Sequence, residues 1–256
     1  MERVFTGIGI DYYLIGAIAR DVWINHISFR NKRTTRDIDF CVYVKDLSQY
    51  KEIQKQLIER EGFTRDKSEP YRIYAPDGQM IDLIPFGGIE KNDSVFLDEP
   101  PMELSVLGTK EVTDNSIAVD GTFKIITLPG LCVMKLIAWN DRPDRRAKDL
   151  EDFYFLLYNY FDISGEQLYE QPFDDLLTNE FQPQVAAARM LGRQINAILK
   201  ESPRIRNKIL KILPELLKEF TDIEIEQLYK ENPSDVKIVG FRMVLEVIKG
   251  INDIIS

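Results

Sequence analysis

The run "DYYLIG", residues 11–16, is largely apolar and closes on Gly16, and "AIARDVWINHISF" then places apolar residues at helical spacing. Together they predict a strand, a glycine turn and a helix. Residues 38–44, "IDFCVYV", predict another strand, and "DLSQYKEIQKQLIEREGF" predicts an amphipathic helix opened by an Asp or Ser cap and closed near Gly62. "YRIYAP" and "QMIDLIPF" flank Asp77 and Gly78, the signature of a β-hairpin. "SIAVDG" and "TFKIITL" add strand signals, so residues 1–127 read as an α/β domain around one antiparallel-rich sheet.

From Leu128 the pattern turns helical. "LPGLCVMKLIAWNDR" predicts a helix with Pro129 near its start, Pro143 interrupts it, and "DRRAKDLEDFYFLLYNYF" resumes. "SGEQLYE", "QVAAARMLGRQINAILKE", "RIRNKILKILPELLKEF" and residues 236–255 follow with the same period. The expected architecture is α+β: a mixed sheet with flanking helices in residues 1–127, then a helical domain in 128–256, with Lys135 to Asp152 at their junction.

Two aspartates break the apolar pattern of the second strand. In "TTRDIDF", Asp37 and Asp39 are one residue apart and share a strand face, while Ile38 and Phe40 point the other way. Two unit charges about 4 Å apart repel by roughly 4 kcal/mol at an effective dielectric near 20, so a cation or water must relieve them. Asp82 in "MIDLIPF" is flanked by apolar residues in the same manner. Three such carboxylates, if they converge, make a hard-oxygen site of the kind magnesium takes. Taken alone, an Asp-x-Asp is also compatible with a strand-entry cap beside a surface residue. Gly16, at a strand end opening a helix, is placed for backbone N–H groups to receive a phosphate.

Composition narrows the classes. The 256 residues, 44% of them apolar, can fill a core, and a net charge of -9 gives no general attraction to phosphate backbones. A nucleic acid would need a local basic patch, such as "RNKRTTR", or a metal. The lone histidine, His26, cannot form a multi-histidine zinc site and is expected to end a helix; Cys41 and Cys132, far apart among apolar neighbours, are expected to be buried free thiols. There is no charged leader with an apolar core and no long apolar run, which predicts a soluble, cytoplasmic protein that does not enter membranes.

Gly16, Asp37, Asp39 and Asp82, in that order, resemble the DNA-polymerase-β-like nucleotidyltransferase fold. With "KLIAWNDRPDRRAKDLEDF" the chain is more narrowly similar to the AbiEii/AbiGii-type nucleotidyltransferase toxins of abortive-infection and toxin–antitoxin systems. The first family motif falls on Arg33, Thr35, Asp37 and Asp39, and the later ones on Lys135, Ala138 and Arg142 and on Lys148, Asp149 and Asp152. The tail after Phe161 carries no part of it. The resemblance implies an enzyme that moves an NMP from an NTP to a hydroxyl on RNA, tRNA included, or on protein, with two Mg2+ ions on Asp37, Asp39 and Asp82 and a possible antitoxin partner.

Gly16, Ala17, Arg36, Lys135 and Arg142 would bind the nucleotide, Lys135 as a point charge on the β- and γ-phosphates and Arg142 as a planar fork. Lys148, Asp149 and Asp152 would support them, or Asp149 would act as a base. Ala17 departs from the Gly or Ser usual after the glycine and removes a side-chain phosphate contact. That departure favours an alternative, a catalytically inactive nucleotide- or partner-binding pseudoenzyme. A third reading, a metal-dependent glycosyltransferase with an Asp-x-Asp, lacks a nucleotide-sugar domain of the expected size and order.

Overall fold

Helix α1 (Glu2–Ile8) leads through Gly9 into β1 (Tyr12–Ile15), a strand with all four residues buried, and Gly16 turns the chain directly into α2 (Gly16–Ile24). The computed structural model describes residues 1–24, 37–119 and 123–254. The end of the helix expected through Phe29, His26 and the basic string "RNKRTTR" therefore lie outside the described residues. The chain resumes in β2 (Asp37–Val44) and α3 (Leu47–Glu61). Asp46 caps α3 by accepting from the Gln49 N–H at 2.8 Å, Gly62 ends it in the left-handed region at φ 73°, and its inner face carries Tyr50, Ile53, Gln54 and Leu57.

After β3 (Thr64–Arg65), the strands β4 (Arg72–Tyr74) and β5 (Met80–Gly87) form the hairpin around Asp77 and Gly78. Then come β6 (Ser94–Asp98), β7 (Pro101–Ser105), α4 (Thr109–Asp114), β8 (Ile117–Val119) and β9 (Phe123–Ile125). Seven strands make one mixed sheet in the order β3-β4-β5-β2-β1-β9-β8, in which β2/β5 and β1/β9 are parallel and the other pairs antiparallel. A single sheet was expected. Instead, among the described residues, β6 and β7 pair with each other in a separate two-stranded sheet, with β7 alternating between exposed and half-buried residues.

Contacts divide the chain into two compact units, Met1–Thr127 and Leu128–Ser256. In the first, alternation along the strands separates two sheet faces. Tyr12, Leu14, Phe40, Val42, Ile81 and Leu83 are buried on one face, where Phe5 of α1 lies 4.6 Å from the Tyr12 ring and Tyr12 lies 5.7 Å from Phe40. Buried polar bonds tie α3 to this sheet: Tyr50 donates to the Leu83 carbonyl at 2.9 Å and Gln54 to the Pro70 carbonyl at 2.7 Å. Cys41 and Cys132 are buried and free, and burial pushes the Cys132 thiol up to about 12.

The second unit is helical: α5 (Leu128–Asp141), α6 (Ala147–Ser164), α7 (Pro183–Leu199), α8 (Pro203–Ile212), α9 (Asp222–Glu231) and α10 (Val236–Asn252). Three segments differ from expectation. Helix α6 starts only at Ala147, four residues after Pro143, and "SGEQLYE" is a 3₁₀ turn over Gly165–Tyr169. The long helix expected from Arg204 breaks at Leu213–Leu217, a 3₁₀ turn holding Pro214, which has no N–H to donate. No described helix is long and apolar enough to cross a membrane.

Helices α7 and α10 meet at glycine. A Cβ on Gly192 would lie 2.9 Å from Gly250 Cα and closer still to the Val247 carbonyl oxygen. Flanking that contact, Asp253 accepts from Arg189 Nη2 at 2.6 Å and from Arg193 Nε at 2.7 Å, and Arg193 Nη1 reaches Asp175 at 2.6 Å. Burial alone would raise the Asp253 carboxyl, but the two arginines outweigh it and hold it below the usual carboxylate range. A depressed folded value means stability that is present above the ordinary carboxylate value of about 4 and lost as pH falls through the folded one. Thermal unfolding should show the melting temperature dropping as pH falls below about 4, and Asp253→Asn should start lower and show a smaller drop.

Candidate active site

Strand register places the three aspartates together. In the parallel β2/β5 pair Asp39 lies opposite Asp82 and Asp37 opposite Met80, and in the antiparallel β4/β5 pair Arg72 lies opposite Asp82. Directly opposed residues share a sheet face, so Arg72, Asp82 and Asp39 form a row across three strands, with Asp37 two residues along. One ligand oxygen from each of Asp37, Asp39 and Asp82 lies within 4.8 Å of the others. The carboxylates come from two neighbouring strands. Asp82 is buried, while Asp37 and Asp39 are half-buried.

Gly16 is fixed by that cluster. Its φ of +68° is left-handed, and a Cβ built there would lie 2.8 Å from Asp39 Cγ and closer still to Oδ2. Asp39 therefore packs against the strand-to-helix turn itself, beside the first N–H groups of α2. Trp23 near the far end of α2 donates to the Ile126 carbonyl at 2.9 Å, which anchors the helix to the segment after β9. Ala17 is half-buried and offers no side-chain donor. Arg20 is buried and donates to Asp21 Oδ1 at 2.9 and 2.8 Å.

Asp82 has a cationic neighbour that the sequence motifs did not include. Arg72 Nε donates to Oδ1 at 2.7 Å and Nη2 to Oδ2 at 2.8 Å, a two-point fork. That bond to Asp82 holds the guanidinium above its ordinary range; burial opposes the shift, and the charge of Asp37 contributes to it. A signal for this pairing was present: Arg72 is five positions before Asp77 and Asp82 four after Gly78, so counting outward through the hairpin turn sets them opposite each other to within one residue.

The remaining expected site residues are in the second unit, apart from Arg36, which lies outside the described residues. On α5, Lys135 Nζ is 2.7 Å from Asp149 Oδ1 and 2.8 Å from Asp152 Oδ2 of α6. All three side chains are mostly buried, at 15%, 11% and 8% exposure. Burial alone would lower the lysine, but the charges of Asp149 and Asp152 hold it above its usual value. Arg146 adds a looser contact to Asp149 at 3.4 Å. Arg142, just past the end of α5, and Lys148, in the first turn of α6, are exposed.

The donor chemistry suits a small divalent cation. Three carboxylates on one sheet face supply hard oxygens, and a metal ion there would relieve their mutual repulsion. No family model matches this chain, and no curated protein does. Among solved structures, the chain is similar at 11% identity to the antibiotic-resistance factor ANT(2'')-Ia, over 65% of this chain and 82% of that one, with a TM-score of 0.38. It is similar at 14% identity to a tRNA-processing enzyme, over 98% and 93%, with a TM-score of 0.25. Likenesses this slight do not bear on what the site does.

Two substitutions test the geometry. Gly16→Ala should displace the Asp39 carboxylate and weaken binding of Mn2+, followed by electron paramagnetic resonance, by about tenfold or more. Lys135→Met should strand two buried carboxylates and cost about 3–5 kcal/mol in urea unfolding.

Proposed function

We propose that this protein is a magnesium-dependent nucleotidyltransferase of the polymerase-β-like class, with its catalytic carboxylates in residues 1–127 and a helical domain in residues 128–256. The observation that carries the reading is the row formed by Asp39 and Asp82 on parallel neighbouring strands, with Asp37 on the same face and Asp39 packed against the Gly16 turn.

In this reading an acceptor hydroxyl attacks the α-phosphorus of an NTP. A new oxygen–phosphorus bond forms, the bond to the bridging oxygen breaks, and pyrophosphate leaves with its electron pair. Asp37, Asp39 and Asp82 would hold magnesium, which when bound supplies charge neutralisation for the triphosphate and polarises the reacting oxygens. Gly16 opens α2 beside Asp39, and the first N–H groups of that helix would suit a phosphate oxygen. A carboxylate of the cluster would accept the proton that the attacking hydroxyl loses. The motif resemblance supports RNA, with tRNA among the candidates, or protein as acceptor, a toxin role in the cytoplasm and an antitoxin partner.

A second reading is favoured by Lys135. Its ammonium group is bonded to two aspartates, so contact with a triphosphate requires those bonds to be shared or broken. With Ala17 in the glycine turn, this fits a nucleotide- or partner-binding protein of the same fold that transfers nothing. Incubation with each α-labelled NTP, magnesium, total RNA and protein should transfer label to one acceptor class. Asp39→Asn should abolish the transfer by at least about 100-fold without altering the circular dichroism spectrum. Full transfer by that variant removes the mechanism, and calorimetric NTP binding by the wild type without any transfer establishes the second reading.

A further inference from the structure

We infer that Arg72 makes the carboxylate cluster selective for small octahedral cations over calcium, by occupying one side of Asp82; this rests on the cluster being the metal site proposed above. A carboxylate has about four lone-pair positions, and the fork from Arg72 takes one on each oxygen of Asp82. Gripped at both oxygens, Asp82 cannot rotate to offer the pair to one ion and is left to bind through a single oxygen. Magnesium is content with single-oxygen carboxylates at near-ideal octahedral geometry, whereas calcium takes six to eight oxygens and gains from carboxylates that bind through both.

The grip is built into the sheet. Arg72 and Asp82 are directly opposed across the β4/β5 hairpin, and the Arg72 and Asp82 side chains are 22% and 8% exposed. The strand that carries Arg72 is fixed beside the same acid: the Leu83 N–H donates to the Tyr71 carbonyl at 2.8 Å, and Gln54 holds the Pro70 carbonyl. Arg72 contacts no metal in this scheme. It is a positioning residue that acts through Asp82.

Net charge and geometry separate in the readout. Removing a cation beside the cluster tightens every divalent ion alike, so the ratio of magnesium to calcium affinity reports the geometry alone. Manganese binding to the full chain is followed by electron paramagnetic resonance, with magnesium and calcium as competitors, in the wild type, Arg72→Gln, Arg72→Lys and Asp39→Asn. The wild type should prefer magnesium. Arg72→Gln frees the second oxygen and should shift the ratio about tenfold toward calcium, and Arg72→Lys, which can bond only one oxygen well, should shift it partway.

An unchanged ratio in both variants overturns the inference, as does loss of both ions in equal measure, which would make Arg72 merely structural. If the glutamine variant does not fold by circular dichroism, the lysine variant decides. If the wild type binds no divalent ion, or binds it as well after Asp39→Asn, the metal-site reading itself fails and this inference falls with it.

Discussion

Repulsion between like charges is the constraint around which the first unit is arranged. Three carboxylates within 4.8 Å of one another on one sheet face is an expensive arrangement in a protein interior, and the sheet holds it at a partly solvated end. Each neighbouring feature lowers the cost differently. Arg72 supplies a fixed opposite charge on Asp82, and Gly16 gives up a side chain so that Asp39 can sit beside the start of a helix. The rest of β2 and β5 is free to be apolar because the acids are confined to one end of one face.

That division lets the same strands serve two purposes. Ile81 and Leu83 point to one face of the sheet while Asp82 between them points to the other, and Phe40 is set off from Asp39 in the same way. A one-residue slip of β5 against β2 would turn Asp82 to the apolar face, away from Asp39, so the hydrophobic pattern that stabilises the sheet also enforces the register of the site. The second unit treats its buried charges in another way, pairing them in ionic networks: Lys135 with Asp149 and Asp152, and Arg189 and Arg193 with Asp253, Glu246 and Asp175. Each buried ion among them has at least one partner of opposite charge, without which its burial would be costly.

Local pattern revealed most of what is local. The glycine turn, the second strand, the capped α3 and the Asp77–Gly78 hairpin are all visible as periodicity and punctuation, and alternation alone put Asp37 and Asp39 on one face. Short elements were missed: α1, α4, α9, and the β6/β7 pair, whose five-residue strands offer too few positions for a period to stand out and whose β7 has no fully buried residue. Pairings between distant segments were harder still. Nothing in "MIDLIPF" states that Asp82 lies opposite Asp39, and Arg72 carries no motif, so its fork on Asp82 follows only from counting through the hairpin. Lys135, Asp149 and Asp152 were legible as a spacing, but the direct bonds among them depend on how α5 and α6 pack around the break at Pro143.

The pairing of β2 with β5 is parallel, so the chain must run out through α3 and back through the β4 strand before the second half of the acid cluster meets the first. Closing so long a loop is entropically slow, and nothing near Asp37 or Asp39 in sequence can substitute for it. A chain emerging from the ribosome therefore carries an incomplete cluster until β5 has been made and threaded beside β2. Assembly of the cation site is in this sense a checkpoint of register, reached only by molecules in which β2 and β5 are correctly paired.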